Sequence, residues 1–236
     1  MTEHRYVGSE LTLFSEATRW KEYIRLAVAP FMGAEVGEVG AGLGGTTRIL
    51  CTGRERRWVG MEPDPTLAAE LQRLAENGGL PACFEPFAGT LQDLPADARF
   101  DTLLYVDVLE HIDDDRTELS RAASRLKPGG HVVVVSPAQP WLFSPFDAAI
   151  GHHRRYTRKS LAALTPEGLE PVRTEYLDSV GLLASLGNRM LLRQSMPTAK
   201  QIEFWDRAMV PVSRRLDPLL AYRVGKAVLG AWRRPG

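Results

Sequence analysis

Residues 38–44 are Glu38-Val39-Gly40-Ala41-Gly42-Leu43-Gly44, and this stretch decides the fold. It lies between a strand predicted at 35–39 and a helix predicted at 46–51. Glycines at such a junction allow positive φ angles and let the backbone approach a ligand closely. The following helix N-terminus offers N–H groups without helical partners, which suit an anionic group. Alone, the pattern predicts either a nucleotide-like ligand or a tight turn without one.

Short apolar runs alternate with helical stretches along the rest of the chain. The predicted strands are 35–39, 57–61, 82–87, 100–106, 131–136, 170–176 and 227–232. The predicted helices are 9–31, 46–51, 65–77, 116–126, 158–164, 180–193 and 200–209. A tight turn is predicted at 127–130, before a β-branched run, Val132 to Val135, that suits a strand buried on both faces. This alternation predicts an α/β fold with a parallel sheet and right-handed crossovers.

The composition fits one α/β domain. The chain has 236 residues, 44% of them hydrophobic, and shows no internal repeat or linker, so we predict a single domain over residues 1–236. Lys and Arg together number 29, as do Asp and Glu; this balance argues against a nucleic-acid partner. Cys51 and Cys83 fit no metal or disulfide pattern. No segment resembles a signal peptide or a membrane span of ~20 apolar residues, so we expect a cytoplasmic protein.

Two carboxylates accompany the glycine turn. Glu38 lies two residues before the first glycine, at the end of the first predicted strand. Glu62 ends the second predicted strand and is followed by Pro63. A carboxylate at the position of Glu62 can accept hydrogen bonds from both hydroxyls of a ribose. Ribose recognition fits NAD and S-adenosylmethionine equally well, so other motifs must distinguish the two cofactors.

Two longer motifs complete the pattern. They are Phe100-Asp101-Thr102-Leu103-Leu104-Tyr105-Val106-Asp107-Val108-Leu109-Glu110-His111-Ile112 and Leu126-Lys127-Pro128-Gly129-Gly130. With the glycine turn and Glu62, their order and spacing resemble the class I S-adenosylmethionine-dependent methyltransferases over about Glu35 to Ser136. The resemblance implies a Rossmann-like three-layer sandwich with a seven-stranded, mostly parallel sheet whose last strand is antiparallel, and our helix assignment adds extra helices before that strand. We divide the domain into a helical cap (1–34), a cofactor-binding core (35–136) and an acceptor-side segment with the C-terminal strands (137–236).

The resemblance also implies the cofactor, S-adenosylmethionine, and its product, S-adenosylhomocysteine. Glu38 and the glycine turn would face the methionine half, Glu62 and Pro63 the ribose, and Gly89-Thr90-Leu91 the adenine. Asp107 and Val108 would lie beside the methionine and the active site. The predicted cofactor residues are therefore Glu38, Gly40, Ala41, Gly42, Gly44, Glu62, Pro63, Gly89, Thr90, Leu91, Asp107 and Val108. Many members of the family carry Asp where this chain has Glu38, and Asp93 is a second candidate for the adenine contact.

The methyl acceptor is expected beyond the carboxyl ends of strands four and five, where open α/β sheets bind ligands. His111 is a candidate general base, because imidazole titrates near neutrality. A structural role for His111, shared across the family, is the favoured alternative. The acidic run 113–115 is interpreted as a solvated helix start. A metal site that includes Asp107 would need a fuller oxygen cluster, so we predict no metal.

The segment Gly151-His152-His153-Arg154-Arg155-Tyr156-Thr157 carries the most unusual chemistry. We expect it to cover an acidic or polar acceptor. Arg154 and Arg155 would orient the acceptor, because guanidinium forks suit carboxylate or phosphate. His152, His153 or Tyr156 would take or share its proton. In the competing interpretation Thr157 caps the next helix while the two arginines pair with surface acids. The run from Pro137 to Tyr156 also resembles a bacterial subgroup of these methyltransferases.

Two further features leave alternatives open. Trp20 and Tyr23 are candidates for stacking on the cofactor or acceptor, although a core role is favoured for aromatics on an amphipathic helix. The apolar residues between 180 and 212 fit a homodimer face, an apolar acceptor wall or a membrane-surface contact, with simple core packing favoured.

Methyl transfer to a small molecule is the leading functional prediction, with oxygen as the accepting atom and nitrogen or carbon next, including on a lipid-like acceptor. An NAD-dependent oxidoreductase would explain the glycine turn and Glu62 but not the two longer motifs. A non-catalytic subunit that binds the cofactor is the third alternative.

Overall fold

The computed structural model describes Phe14 and residues 16–187 and 198–236. Within these residues, seven strands form one sheet: β1 Glu35–Val39, β2 Arg57–Glu62, β3 Phe84–Ala88, β4 Phe100–Val106, β5 Leu126–Pro137, β6 Glu170–Leu177 and β7 Ala227–Arg233. Their order across the sheet is β3-β2-β1-β4-β5-β7-β6. Strands β1 to β5 pair in parallel, and β7 is antiparallel to both β5 and β6. The predicted α/β architecture, with its antiparallel last strand, is confirmed.

Helices cover both faces of this sheet. They are α1 Thr18–Val28, α2 Thr47–Leu50, α3 Pro65–Glu76, α4 Asp115–Ser124, α5 Pro145–Ala149, α6 Arg158–Ala162, α7 Ser179–Gly187, α8 Ala199–Phe204 and α9 Val210–Leu219. A π-helical turn, Trp205–Met209, joins α8 to α9, and a short 3₁₀ turn, Leu109–His111, follows β4. In the described part of the chain, no helix combines the length and apolarity that a membrane crossing requires.

The central strands are buried on both faces. Val132 to Val135 in β5 are fully buried, which confirms the prediction from their β-branched run. Two hydrophobic layers, one on each face, enclose the sheet and include the fully buried Trp58 and Trp232. The indole nitrogens of these residues donate to Glu38 and Thr165, so neither tryptophan buries an unpaired N–H group.

The predicted tight turn at 127–130 lies inside β5 rather than before it. The residues on either side of this stretch pair with β4 residues that are only two positions apart, so residues 127–130 form a β-bulge. The Gly129 N–H donates to the Arg234 carbonyl and the Arg234 N–H donates to Gly130, so the chain after β7 holds this bulge in place. Gly129, at φ 78°, absorbs the irregularity.

Other predicted bounds differ at the ends of helices. Within the described part of the predicted first helix, the helix begins at Thr18 and follows Glu16 and Ala17, and residues 9–13 lie outside the described part. Residues 188–193 of the predicted seventh helix also lie outside it. The sequence did not predict α5 or α9.

Helix α1 is tied to the C-terminal helices by two buried carboxylates. The Tyr23 hydroxyl donates to Asp217 Oδ2 at 2.7 Å, and the Trp20 N–H donates to Asp206 Oδ1 at 2.8 Å. Asp217 also accepts the backbone N–H groups of Asp178 and Ser179. Tyr23 therefore belongs to the core, the alternative that the sequence favoured, and its hydroxyl is already engaged.

Replacing Tyr23 with Phe removes one of the three donors to the buried Asp217 carboxylate. We expect Y23F to lower the free energy of unfolding by about 1–2 kcal/mol, because a buried charged acceptor loses a partner. Y176F is the matched control, since the Tyr176 hydroxyl pairs with the Arg158 N–H at an exposed helix start. Urea unfolding of both variants measures the difference, and equal losses would contradict the assignment.

Candidate active site

A cavity of about 800 Å³ opens at the carboxyl ends of the parallel strands. Its walls come from the glycine turn after β1, the end of β2, the residues after β4, helix α1 and the segment at 146–155. Strand β1 lies between β2 and β4, so the chain leaves β1 in one direction across the sheet and later returns in the other. Such a reversal separates the connecting loops and creates a crevice for ligands.

The glycine turn forms one wall of this cavity through its backbone. Gly40, Gly42 and Gly44 have φ angles of 68°, 55° and 73°, in the left-handed region that favours glycine. A Cβ on Gly40 would lie 2.6 Å from Val108 Cγ2, so a side chain there would collide with the segment after β4. Gly40, Ala41 and Gly42 line the cavity, as does Val108. Gly44 instead packs against Leu71 and Leu74 of α3, where a Cβ would also be crowded.

Glu62 is fixed at the edge of the cavity by two backbone groups. The Gly42 N–H donates to its Oε2 at 2.8 Å, and the Asp64 N–H donates to its Oε1 at 2.9 Å. Pro63 lies beside it on the same wall. Asp64 in turn caps α3 by accepting from Thr66 and Leu67. The carboxylate therefore has a defined orientation next to the glycine turn.

Glu38 lies beneath the glycine turn, outside the cavity lining, and its contact with the cofactor stays a prediction. Its Oε2 accepts from the Thr47 hydroxyl and from Trp58 Nε1, both at 2.8 Å. It thereby joins β1 to α2 and β2. Burial raises the pKa of Glu38 to about 7, although these two hydrogen bonds oppose the shift.

The predicted adenine segment also lies outside the cavity lining. Leu91 is fully buried in the core. The Thr90 N–H and hydroxyl both donate to Asp93 Oδ2, so Thr90 and Asp93 close a local turn. Gly89 donates its N–H to the Glu62 carbonyl. These contacts shape the loop after β3, and the hydrogen bonds between Thr90 and Asp93 stabilise its turn.

Asp107 directly follows β4 and has a left-handed backbone conformation, with φ 54°. Such a conformation is uncommon for a residue other than glycine and concentrates at functional sites. The carboxyl group lines the cavity beside Val108, where the sequence expected both residues. Burial raises the pKa of Asp107 to about 6, although the nearby basic side chains of His152, Lys226 and Lys21 act to lower it.

At the other end of the cavity, His152 and Arg155 share one buried carboxylate. Asp147 accepts from Arg155 Nε at 2.8 Å and Nη2 at 3.1 Å, and its Oδ1 lies 3.0 Å from His152 Nδ1. Burial acts to raise the pKa of Asp147, but the hydrogen bonds from His152 and Arg155 hold it well below its usual range. His111 faces His152 edge-on, with ring centroids 4.5 Å apart. Burial, followed by the proximity of the basic His152 ring, lowers the pKa of His111 to about 4.

His153, Arg154 and Tyr156 lie outside the cavity lining, and their roles in acceptor handling stay predictions. The Tyr156 hydroxyl donates to Asp115 Oδ2 at 2.8 Å. Arg154 bonds Asp115 and Asp113, and His153 is half-exposed near Asp113. These contacts brace the segment against the start of α4. Arg154 therefore fits the competing interpretation, in which the arginines of this segment pair with acidic residues.

Sequence reasoning missed two lysines and an aromatic residue in the cavity wall. Lys226 Nζ lies 3.7 Å from the centroid of the Trp205 ring and 3.6 Å from Asp178 Oδ2. Lys21 Nζ donates to the Phe14 carbonyl, and burial lowers the pKa of both lysines. Trp20 packs on Trp205 at the same wall. A single lysine far from the other site residues in sequence belongs to no local motif that predicts its place in the site. Only the fold brings such a lysine to the cavity wall.

Comparison with known proteins places this site in a family. Residues 38–132 match the family model described as a methyltransferase domain. Over 107 residues the chain is 31% identical to the ubiquinone biosynthesis O-methyltransferase of Bradyrhizobium sp. (strain ORS 278). That match covers 44% of this chain and 40% of the relative's length.

Solved structures with a similar fold extend over nearly the whole chain. The N-methyltransferase NodS from Bradyrhizobium japonicum WM9, in complex with S-adenosylhomocysteine, aligns with a TM-score of 0.58 and 16% identity, covering 94% of this chain and 88% of NodS. The cyclase SpnF aligns with a TM-score of 0.64 and 16% identity, covering 97% of this chain and 95% of SpnF. Residues 38–132 therefore carry a methyltransferase domain, and the predicted resemblance to class I S-adenosylmethionine-dependent methyltransferases is confirmed over that part of the chain.

Replacing Gly40 with Ala tests the backbone wall of the cavity. We expect G40A to cost about 2 kcal/mol of unfolding free energy or more and to weaken S-adenosylmethionine binding about tenfold, because the methyl group adds strain at positive φ and pushes Val108. G78A is the matched control: Gly78 has φ 70°, but a Cβ there meets no atom within 4 Å. Calorimetric titration and urea unfolding measure both effects. Equal cofactor binding by the two variants would be evidence against the role of the turn.

Replacing Glu38 with Gln tests the buried carboxyl group. Its raised pKa means that it stabilises the fold below about pH 4.5 and that this contribution is lost as the pH rises through 7. Between pH 4.5 and pH 7 the free energy of unfolding of the wild type should therefore fall by on the order of 3 kcal/mol relative to that of E38Q. In E38Q the amide oxygen still accepts from Thr47 and Trp58. Urea unfolding across this pH range checks the difference. Exposed Glu85 gives the control variant, E85Q, and a wild-type profile parallel to that of E38Q would refute the expectation.

Proposed function

We propose that this chain transfers a methyl group from S-adenosylmethionine to an oxygen atom of a small polar acceptor. One observation carries the proposal: a single cavity joins the glycine turn and Glu62 to His152, Arg155 and Lys226. One end has the features of a cofactor site, and the other presents charged and aromatic groups to a second molecule. The acceptor oxygen and the methyl carbon can therefore meet inside one enclosed space.

The cofactor would lie along the wall formed by Gly40, Ala41 and Gly42. The Glu62 carboxylate would accept the ribose hydroxyls at the end of β2. The methionine end would then reach Asp107 and Val108 after β4. This placement uses the cavity-lining subset of the predicted cofactor residues and leaves Glu38, Gly44 and the Gly89-Thr90-Leu91 segment with supporting roles.

The acceptor would occupy the end of the cavity near His152. Lys21, Lys226 and Arg155 bring positive charge to the wall, which favours a polar or acidic acceptor. Trp20, Trp205 and Phe146 add aromatic surface there. The name of the Bradyrhizobium relative, an O-methyltransferase, supports oxygen as the accepting atom.

The transfer is a single displacement at the methyl carbon. The acceptor oxygen forms a bond to carbon while the carbon–sulfur bond breaks, and the electron pair stays on sulfur to give S-adenosylhomocysteine. A hydroxyl acceptor also loses its proton to a basic group of the cavity or to solvent. His111 and His152 face this end and would promote that loss. The enzyme contributes mainly alignment of oxygen, carbon and sulfur.

Other activities find less support. An NAD-dependent oxidoreductase would share the glycine turn and Glu62 but not the match to the methyltransferase domain. The likeness to a cyclase shows that this fold also hosts other chemistry, so the fold alone does not establish methyl transfer. The test described below therefore distinguishes three alternatives. They are nitrogen or carbon as the accepting atom, a lipid-like acceptor, and a non-catalytic subunit.

Binding and turnover together test the proposal. Calorimetric titration should show S-adenosylmethionine binding and no NAD binding. E62Q should weaken S-adenosylmethionine binding about tenfold, because one carboxylate acceptor is lost, whereas E76Q on the exposed face of α3 should not.

Turnover is measured with S-adenosylmethionine labelled in its methyl group and a panel of phenols, carboxylic acids, amines and apolar lipids. We expect label in phenols or carboxylic acids. Label in amines alone would move the accepting atom to nitrogen, and label in lipids alone would replace the polar acceptor. Tight cofactor binding without transfer to any compound would favour a non-catalytic subunit.

A further inference from the structure

Three potential metal ligands meet at the acceptor end of the cavity. Glu110 and His111 belong to the 3₁₀ turn after β4, and His152 comes from the segment before α6. One ligand atom from each residue lies within 4.8 Å of the other two, and all three residues line the cavity. Local spacing does not predict the cluster, because about forty residues separate His152 from the other two ligands.

Glu110 carries an unpaired oxygen at this place. The residue is fully buried, and its Oε2 accepts from the Ser136 hydroxyl at 2.8 Å. Its Oε1 has no hydrogen-bond partner among the described residues, and His152 Nε2 lies 3.7 Å away, beyond hydrogen-bonding distance. A buried carboxylate oxygen without a partner is costly and calls for an explanation. A cation would supply one.

His152 is oriented as a metal-binding histidine is. Its Nδ1 lies 3.0 Å from Asp147 Oδ1, which places the ring proton on Nδ1 and leaves the Nε2 lone pair directed toward Glu110. Metal-bound histidines commonly donate their second nitrogen to a carboxylate in this way, which fixes the ring and raises its basicity. Asp147 is itself held by Arg155 and by the Ser144 hydroxyl and N–H.

The geometry points to a site for one divalent first-row transition-metal ion, and we propose that Glu110, His111 and His152 bind it. Nitrogen and oxygen donors lie ~2.0–2.2 Å from such an ion and therefore ~3.3–3.6 Å from one another in a tetrahedral site. The three ligand atoms, which lie within 4.8 Å of one another, would have to draw together by about 1.5 Å at most. Two imidazoles and one carboxylate suit Zn²⁺, Fe²⁺ or Mn²⁺, whereas Ca²⁺ and Mg²⁺ prefer oxygen ligands. Three protein ligands leave coordination positions open toward the cavity.

An open position would give the ion a part in the proposed reaction. A hydroxyl oxygen of the acceptor bound there would lose its proton more readily, because the cation stabilises the anion. The oxygen would also be held at the acceptor end of the cavity. Binding of the ion stands on the three ligands alone, whereas its use in methyl transfer rests on the proposed function.

The test begins with the full chain, freed of metal by chelation and titrated with Zn²⁺ in a calorimeter. We expect one ion to bind per chain, and H152A and E110Q to weaken binding about 100-fold or more. E110Q keeps an acceptor for Ser136, so it removes the ligand with little disturbance of the fold. H153A is the matched control, because the half-exposed His153 lies outside the cavity lining and should leave Zn²⁺ affinity unchanged.

A second metal probe separates this site from the two cysteines. Cys51 Sγ and Cys83 Sγ lie 3.6 Å apart near Glu55 and form the other cluster able to hold an ion among the described residues. Co²⁺ bound to imidazole and carboxylate shows visible bands without the near-ultraviolet charge-transfer band of a thiolate complex. Visible bands that disappear in H152A but persist in H153A support the proposal. A thiolate band alone, or Zn²⁺ affinity equal in H152A and H153A, overturns it.

Turnover with and without metal keeps the two proposals distinct. Methyl transfer by metal-free chain, together with no Zn²⁺ or Co²⁺ binding, would remove the metal site and leave the proposed function standing. Metal binding as expected, without transfer to any acceptor, would remove the function and leave the site.

Discussion

The contact between Gly40 and Val108 sets the geometry on which the rest of the site depends. Parallel strands β1 and β4 end side by side, and the chain must leave both of them at the same edge of the sheet. Because Gly40 has no side chain, the two exits approach each other at van der Waals distance. That approach directs the glycine turn toward Glu62 and the segment after β4 toward His152. A bulkier turn would separate the two walls of the cavity.

Buried carboxylates hold the elements around this contact in place, and each carboxylate has different hydrogen-bond partners. Glu38 is satisfied by Thr47 and Trp58, and it ties the glycine turn to its flanking elements. Asp147 pairs with Arg155 and His152, and these contacts fix the segment between residues 147 and 155. Burying a carboxylate is expensive, so each of these groups needs compensation close by. Glu110 is compensated on one oxygen only, and its other oxygen faces the two histidines.

Much of the fold was predictable because its signals are local. Strands β1 and β4 were predicted to the residue, since apolar runs bounded by glycine or charged residues are properties of a few consecutive positions. The stretch at 127–130 was predicted as a turn for the same reason. Its Pro-Gly-Gly sequence favours a turn locally, and pairing with Arg234, more than a hundred residues later, makes this turn a bulge within β5.

The sequence by itself determined the α/β sheet, the glycine turn and the position of Glu62 at the end of β2, because each depends on short-range spacing. Only the tertiary structure decided which side chains of the 151–157 segment face the cavity. His152 and Arg155 turn inward to Asp147, whereas Arg154 and Tyr156 turn away to Asp115. Lys21 and Lys226 likewise reach the site only through folding. These orientations depend on partners distant in the chain, and no local pattern records them.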